Sequence, residues 1–275
     1  MFQPSLRTFI TAGLAAMSLL MLGTTPTIAQ GAERIGVLML HGKSPGSNQD
    51  QNLGQLKPLL EREGWLVAFP DMPWSRGRFI DGNWDKAMAE IGAQVQTLRS
   101  QGATRIVVMG HSLGVPAAMS YAARGGDVQA LVLMAPGHVP ATFYNVHPNK
   151  VIRQSVDEAR ALIAAGKGDS RERFSDINQG RQANVVATAS DYLSYFDPAS
   201  DADMGNTAAR IPATTPVLTV VGDADVIFKH ARAYFADKLP ANPKSQYLEV
   251  QANHLTTPGV AGAQAIVWIR TALAP

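Results

Sequence analysis

The sequence predicts an α/β protein: a mostly parallel sheet of about six or more strands, helices on both faces, and an inserted helical cap. Three observations carry that expectation. Apolar, β-rich runs alternate with helix-compatible stretches along most of the chain. At one junction, Gly110-His111-Ser112-Leu113-Gly114 directly follows the apolar Arg105-Ile106-Val107-Val108-Met109 and precedes an Ala-rich stretch. Residues suited to chemistry stand just past strand ends, the edge where open α/β sheets gather functional groups.

Taken in order, the first strand covers 34–40 and leads through a polar loop, 43–51, to a helix near 53–63 that Gly64 ends. A second strand, 65–69, runs into Pro70-Asp71-Met72-Pro73-Trp74-Ser75, a loop stiffened by its prolines. A helix near 84–101 precedes the strand 105–109 and its helix, 115–124. Another strand, 128–134, ends at Ala135-Pro136-Gly137-His138. The interval 140–212 breaks the alternation, with helical stretches at 150–165 and 191–196 and no convincing apolar strand. After it come a strand at 217–221, a helix at 229–239, a strand at 246–250 and a last helix near 260–273.

The segment 110–114 fits Gly-x-Ser-x-Gly, a sharp strand-to-helix turn that lifts a serine hydroxyl above the sheet. Both glycines serve the turn, because backbones pass too closely for a Cβ and the serine is strained. In this arrangement an acid and then a histidine follow in the chain. Asp223-Ala224-Asp225 stands at the end of the strand 217–221, and Asn253-His254 follows the strand 246–250. A serine hydroxyl is a poor nucleophile until an imidazole removes its proton. A carboxylate on the imidazole's other N–H fixes the required tautomer. The plain alternatives are a serine N-cap at Ser112 and an ordinary loop histidine at His254. With no HExxH, no His-x-His and no cysteine, nothing points to a metal, and no cofactor is expected.

Through His41-Gly42 after the first strand, the Ser112 turn, Gly222-Asp223-Ala224-Asp225 and Asn253-His254, the chain resembles the α/β-hydrolases. The resemblance covers roughly 34–274 and is to small exported bacterial serine esterases and lipase-like enzymes. It implies Ser112 as nucleophile and His254 as general base and acid. It also selects Asp225 over Asp223, since the family's acid lies three positions beyond the glycine; Asp223 is then expected to bond loop amides. The backbone N–H groups of Leu113 and Lys43 are implied as the oxyanion hole, and 140–212 as a cap over the nucleophile. The antiparallel hairpin that opens larger members is missing from the pattern. His41 and Trp74 are candidate substrate contacts, with packing as the alternative, and the same choice applies to Phe143, Tyr144, Tyr192 and Tyr195. Arg76 and Arg78 follow Trp74 where a substrate carboxylate could be received, against the alternative of solvated loop charges. The activity implied is hydrolysis of a small-molecule carboxylic ester through an acyl-enzyme. Amidase, peptidase, acyltransferase and carbon–carbon hydrolase chemistries use the same triad, and a binding protein that lost catalysis is the non-enzymatic alternative.

With 46% hydrophobic and 17% charged residues, the 275-residue chain is expected to bury one sizeable core. A net charge of +2 without a basic run gives no reason to expect a nucleic-acid partner. Oligomeric state is not readable. Residues 1–29 carry one positive charge at Arg7, an apolar stretch over 8–22 and the small-residue end Thr27-Ile28-Ala29. Those are the three regions of a secretory signal peptide, too short in its apolar part for a spanning helix, so no stable membrane anchor is expected after cleavage. The expected organisation is a signal peptide at 1–29 and an α/β-hydrolase domain at 30–275, in a periplasmic or secreted protein. An uncleaved anchor is the alternative.

Overall fold

The computed structural model describes residues 1–2, 33–146, 150–225 and 230–274. Residues 3–29 of the expected signal peptide therefore lie outside the described residues. Glu33–Pro275 form one compact unit.

Eight strands follow one another in the described chain: β1 (Ile35–Leu40), β2 (Leu66–Ala68), β3 (Arg105–Ser112), β4 (Ala130–Pro136), β5 (Arg171–Asn178), β6 (Arg181–Thr188), β7 (Val217–Gly222) and β8 (Gln246–Val250). Six of them form one sheet in the order β2-β1-β3-β4-β7-β8, and every pairing within it is parallel. The chain leaves β1 toward one edge to form β2, then returns past β1 to form β3. The carboxyl ends of β1 and β3 therefore flank the point where strand order reverses, the crevice at which such sheets bind ligands.

Alternating side chains divide the core. Leu38, Leu40, Ile106, Val108, Leu131 and Leu133 point to one face, while Val37, Met39, Val107, Met109, Val132 and Met134 point to the other. The first face is covered by the helices Trp84–Ser100 and Gly114–Ala123, the second by Thr257–Leu273 and Leu53, Leu56 and Leu60. Burial on both faces is why these strands read as continuous apolar runs. Asn83 caps the helix Trp84–Ser100 by accepting from the Lys86 N–H, and Pro258 opens the last helix, where its missing N–H costs nothing.

Three expectations need correction. The single helix expected at 53–63 is two short ones, Gln51–Gly54 and Lys57–Arg62, with Pro58 opening the second because it has no N–H to continue the first. The helix expected at 229–239 is a short turn, Ala231–Tyr234, followed by a 3-10 turn, Ala236–Lys238. The largest correction concerns the inserted segment, which is not purely helical. Beside the helices Pro140–Asn145, Val151–Ala164 and Ala189–Phe196 it contains the antiparallel hairpin β5–β6. Its tip is a two-residue turn, Gln179-Gly180, with positive φ at both positions (50° and 73°), the turn that suits the twist of paired strands.

Candidate active site

Ser112 ends β3 with φ of 55°, left-handed backbone that a serine adopts only when its surroundings impose it. The two glycines show how. A Cβ on Gly110 would meet the carbonyl oxygen of Gly114, and one on Gly114 would meet the carbonyl oxygen of Leu40 in β1. Gly137, after β4, is constrained less severely, since its Cβ would stand 2.8 Å from Ser112 Oγ.

The loops after β7 and β8 bring the other two groups to the same edge. His254 Nε2 lies 3.0 Å from Ser112 Oγ, and His254 Nδ1 lies 2.8 Å from Asp225 Oδ2. Asp225 is fully buried and His254 nearly so. The carboxylate accepts a hydrogen bond from Nδ1–H, which leaves Nε2 to accept from the serine hydroxyl. Asp223 behaves as expected of it: its Oδ1 accepts from the Ala252 N–H at 3.1 Å, tying the two loops together. Asn253 Oδ1 accepts from the N–H groups of Leu255 and Thr256, and this shapes the loop that presents His254. The buried His111 completes the support by donating Nε2–H to the His254 carbonyl at 2.9 Å. Burial pushes the His111 pKa down to about 4, so its ring is neutral and holds that proton near neutral pH.

Leu113 precedes the first turn of the helix Gly114–Ala123, where backbone N–H groups have no intrahelical acceptor. Leu113 and Lys43 both line a small cavity with Ser112. The Lys43 side chain does something the sequence did not foretell. Its ammonium reaches into the inserted segment and donates to Asp176 Oδ1 at 2.5 Å and to the Ile177 carbonyl at 2.7 Å, almost entirely away from solvent. Asn178 Nδ2 donates to the Ser44 carbonyl at 2.6 Å. The hairpin tip is thus fastened to the loop that follows β1, and it roofs Ser112.

Two lobes meet at Ser112. The wider, of about 220 Å³, is walled by Gly42, Arg76, His111, Asn178, Gln179 and Leu255 among others. The narrow one, of about 40 Å³, is enclosed by Leu113, Gly137, His138, Phe143, Ile177 and the hairpin tip. Residues 178–180 were missed at the level of sequence. The available signal was Gln179-Gly180, a two-residue turn between runs of equal length, which the polar flanks disguised.

The expected substrate contacts divide. Phe143 and Arg76 line the lobes. His41 and Trp74 do not: both are fully buried beneath the site. His41 donates Nδ1–H to the Gly42 carbonyl and accepts from the Met72 N–H, while Trp74 donates to the His41 carbonyl and stacks on Trp84. They hold the loops after β1 and β2 together, which corrects their reading as substrate contacts. Tyr192 and Tyr195 are likewise fully buried core residues. Arg78 is committed to Asp81 and Glu90. Among the described residues no cluster of three or more His, Asp or Glu could hold a metal ion.

The family described as "Alpha/beta hydrolase family" matches residues 37–261. Among curated proteins, the chain is 27% identical over 215 residues to 2-hydroxy-6-oxononadienedioate/2-hydroxy-6-oxononatrienedioate hydrolase 2 of Pseudomonas putida, covering 72% of this chain and 73% of that one. A hydrolase of the same name, numbered 1, from Dechloromonas aromatica is 24% identical over 69% of this chain and 70% of its own. Among solved structures, monoacylglycerol lipase of Paleococcus ferrophilus superposes with a TM-score of 0.63 at 20% identity, over 86% of this chain and 94% of that one. Est1E of Butyrivibrio proteoclasticus, solved with ferulic acid, gives 0.61 at 18%, over 88% and 91%. At those identities the two structures speak for the fold alone.

Proposed function

The chain belongs to the α/β-hydrolase family, and we propose that it is a serine hydrolase of carboxylic esters that works through an acyl-enzyme on Ser112. One observation carries this reading: the run from Ser112 Oγ to His254 Nε2 at 3.0 Å and from His254 Nδ1 to Asp225 at 2.8 Å. It matches what proton transfer needs, because each donor already faces the acceptor it will use.

As Ser112 Oγ bonds to the ester carbonyl carbon, its proton passes to His254 Nε2 and the carbonyl π pair moves onto oxygen. Asp225 stabilises the imidazolium so formed. The oxyanion accepts from the backbone N–H groups of Leu113 and Lys43, each contributing about 3 kcal/mol to the transition state. Its collapse breaks the bond to the leaving oxygen, which departs with the proton of His254. Water then gives a proton to His254 and attacks the acyl carbon; the second collapse returns the proton to Ser112 and releases the acid.

A fluorophosphonate tests the reading directly. The expected result is one adduct, on Ser112, absent from Ser112→Ala and strongly reduced in His254→Ala. A folded protein that takes no label would be a binding module instead. Carbon–carbon hydrolysis is the second reading, raised by the name of the Pseudomonas putida relative. Turnover of vinylogous 1,5-diketones with none of p-nitrophenyl esters would favour it. Export is part of the same proposal and rests on residues 1–29; mature protein in the periplasm or medium beginning near Gln30 would support it, and intact Met1 in the cytoplasm would refute it.

A further inference from the structure

His138 lines the narrow lobe, and its ring holds a buried hydrogen-bond acceptor that nothing among the described residues uses. His138 is 95% buried, since its relative exposure is 5%, and it donates Nε2–H to the Tyr195 carbonyl at 2.7 Å. With the proton on Nε2, Nδ1 carries a bare lone pair, and that atom has no partner among the described residues. Buried acceptors are almost always satisfied, so an orphan beside a cavity asks for a donor from outside the protein. His138 also stands at φ of 64°, two residues after Pro136, and the strain is tolerated on the very turn that seats Gly137 against Ser112 Oγ. Rings of Phe143 and Phe196 pack edge-on against the imidazole and fix its plane. Burial and the nearby Lys43 ammonium both oppose a second proton and bring its pKa down to about 3, which keeps the ring an acceptor near neutral pH. Lys43 lines the same lobe; among the described residues two of its ammonium N–H groups are taken, by Asp176 and Ile177, and the ammonium lies 5.7 Å from the centroid of the Phe196 ring.

We propose that the narrow lobe is a subsite for a hydroxyl on a short acyl group, read by His138 Nδ1. The proposal rests on the serine hydrolase reading and names its substrate class: esters of small hydroxy acids. The hydroxyl donates to His138 and can accept from the third N–H of Lys43, the complementary pair that a hydroxyl satisfies and a methyl does not. The acyl side is assigned to this lobe because the alcohol must leave before water attacks, which suits the wider lobe. Its volume of about 40 Å³ admits a group of only a few heavy atoms.

Aryl esters of glycolic, propanoic and methoxyacetic acids test this on the full mature protein. Glycolyl and propanoyl have nearly the same shape, and methoxyacetyl has the oxygen without the donor. Each kcat/KM is divided by the ester's rate with hydroxide to remove intrinsic reactivity. The expected result is a glycolyl preference of about tenfold over both others, the scale of one hydrogen bond that leaves a buried acceptor unmet when lost. In His138→Phe the preference falls to near one; His138→Asn, which tolerates the positive φ and keeps an acceptor, retains part of it. If His138→Phe does not fold, the wild-type ratios and His138→Asn decide. Turnover without a glycolyl preference, or a preference that survives in His138→Phe, overturns the subsite alone. No turnover of any of the three overturns it too, and if Ser112 is also unlabelled by a fluorophosphonate, the hydrolase reading falls with it.

Discussion

The sheet edge and the inserted segment hold their functional groups by different means. At the edge, backbone decides: Gly110 and Gly114 let β3 turn against β1, and the loops after β7 and β8 are tied by the Asp223 N–H to the Val250 carbonyl and the Ala224 N–H to the Ala252 carbonyl. The cap is attached by side chains that reach across: Lys43 to Asp176, Asn178 to Ser44, Ser194 to the Trp84 N–H, and His138 to Tyr195. Backbone constraints leave a local trace in sequence. A pair such as Lys43 and Asp176, 133 residues apart, leaves none.

The largest effects should fall on the edge. Ser112→Ala should lower kcat on the order of 10⁴–10⁶-fold while leaving the melting temperature nearly unchanged, since it removes one hydroxyl and little packing and leaves the backbone as it is. Equal loss of stability would mean that the serine is structural. Gly114→Ala should cost about 4 kcal/mol in chemical denaturation, because its Cβ meets backbone that has nowhere to move. A soluble Gly114→Ala of normal stability would show that β1 can yield, and the edge would not be the rigid partner.

The cap comes next. Lys43→Met or Asp176→Asn leaves one buried member of the ion pair without its partner, at a cost of about 3–5 kcal/mol. Limited proteolysis should then cut within residues 171–188 first, while fluorophosphonate still labels Ser112. Labelling lost together with the hairpin would join the two regions into one unit and break the distinction.

Acid sharpens the comparison, because His111 sits in the edge and His138 where edge and cap meet. Both are buried with pKa lowered, to about 4 and about 3. The unfolded chain binds protons near pH 6.5 that the folded chain refuses, so their stabilising balance is complete above that pH and erodes as pH falls toward 4. Each contributes a loss of up to about 1.4 kcal/mol per pH unit in that window. His138→Asn should therefore flatten the decline of the melting temperature between pH 7 and 5. An unchanged slope would mean that His138 is protonated when folded.

Legibility followed the same division. The order of Ser112, Asp225 and His254, the parallel strands and the helix after Ser112 could all be read, because turn glycines and apolar runs are local signals. The hairpin could not. In β6 the exposed Arg181, Gln182, Ala183 and Asn184 precede Val185, so apolar alternation covers only half the strand. His41 and Trp74, expected as substrate contacts, lie instead beneath the site. Their neighbours on the loops say nothing about depth, which is set by Phe69, Met72 and Trp84 packing around them.

The smallest effect separates the two fastenings of the hairpin itself. Asn178 Nδ2 donates to the Ser44 carbonyl from a half-buried position, and a carbonyl there can find water when the amide is gone. Asn178→Ala should cost about 1 kcal/mol, the net value of such a bond. The tip nevertheless walls both lobes, so the loosened turn should raise KM for a small ester a few-fold while kcat stays within about twofold. Should Asn178→Ala instead destabilise as much as Asp176→Asn, the tip would be the anchor and the buried ion pair a passenger. The cap would then depend on a backbone contact, as the sheet edge does.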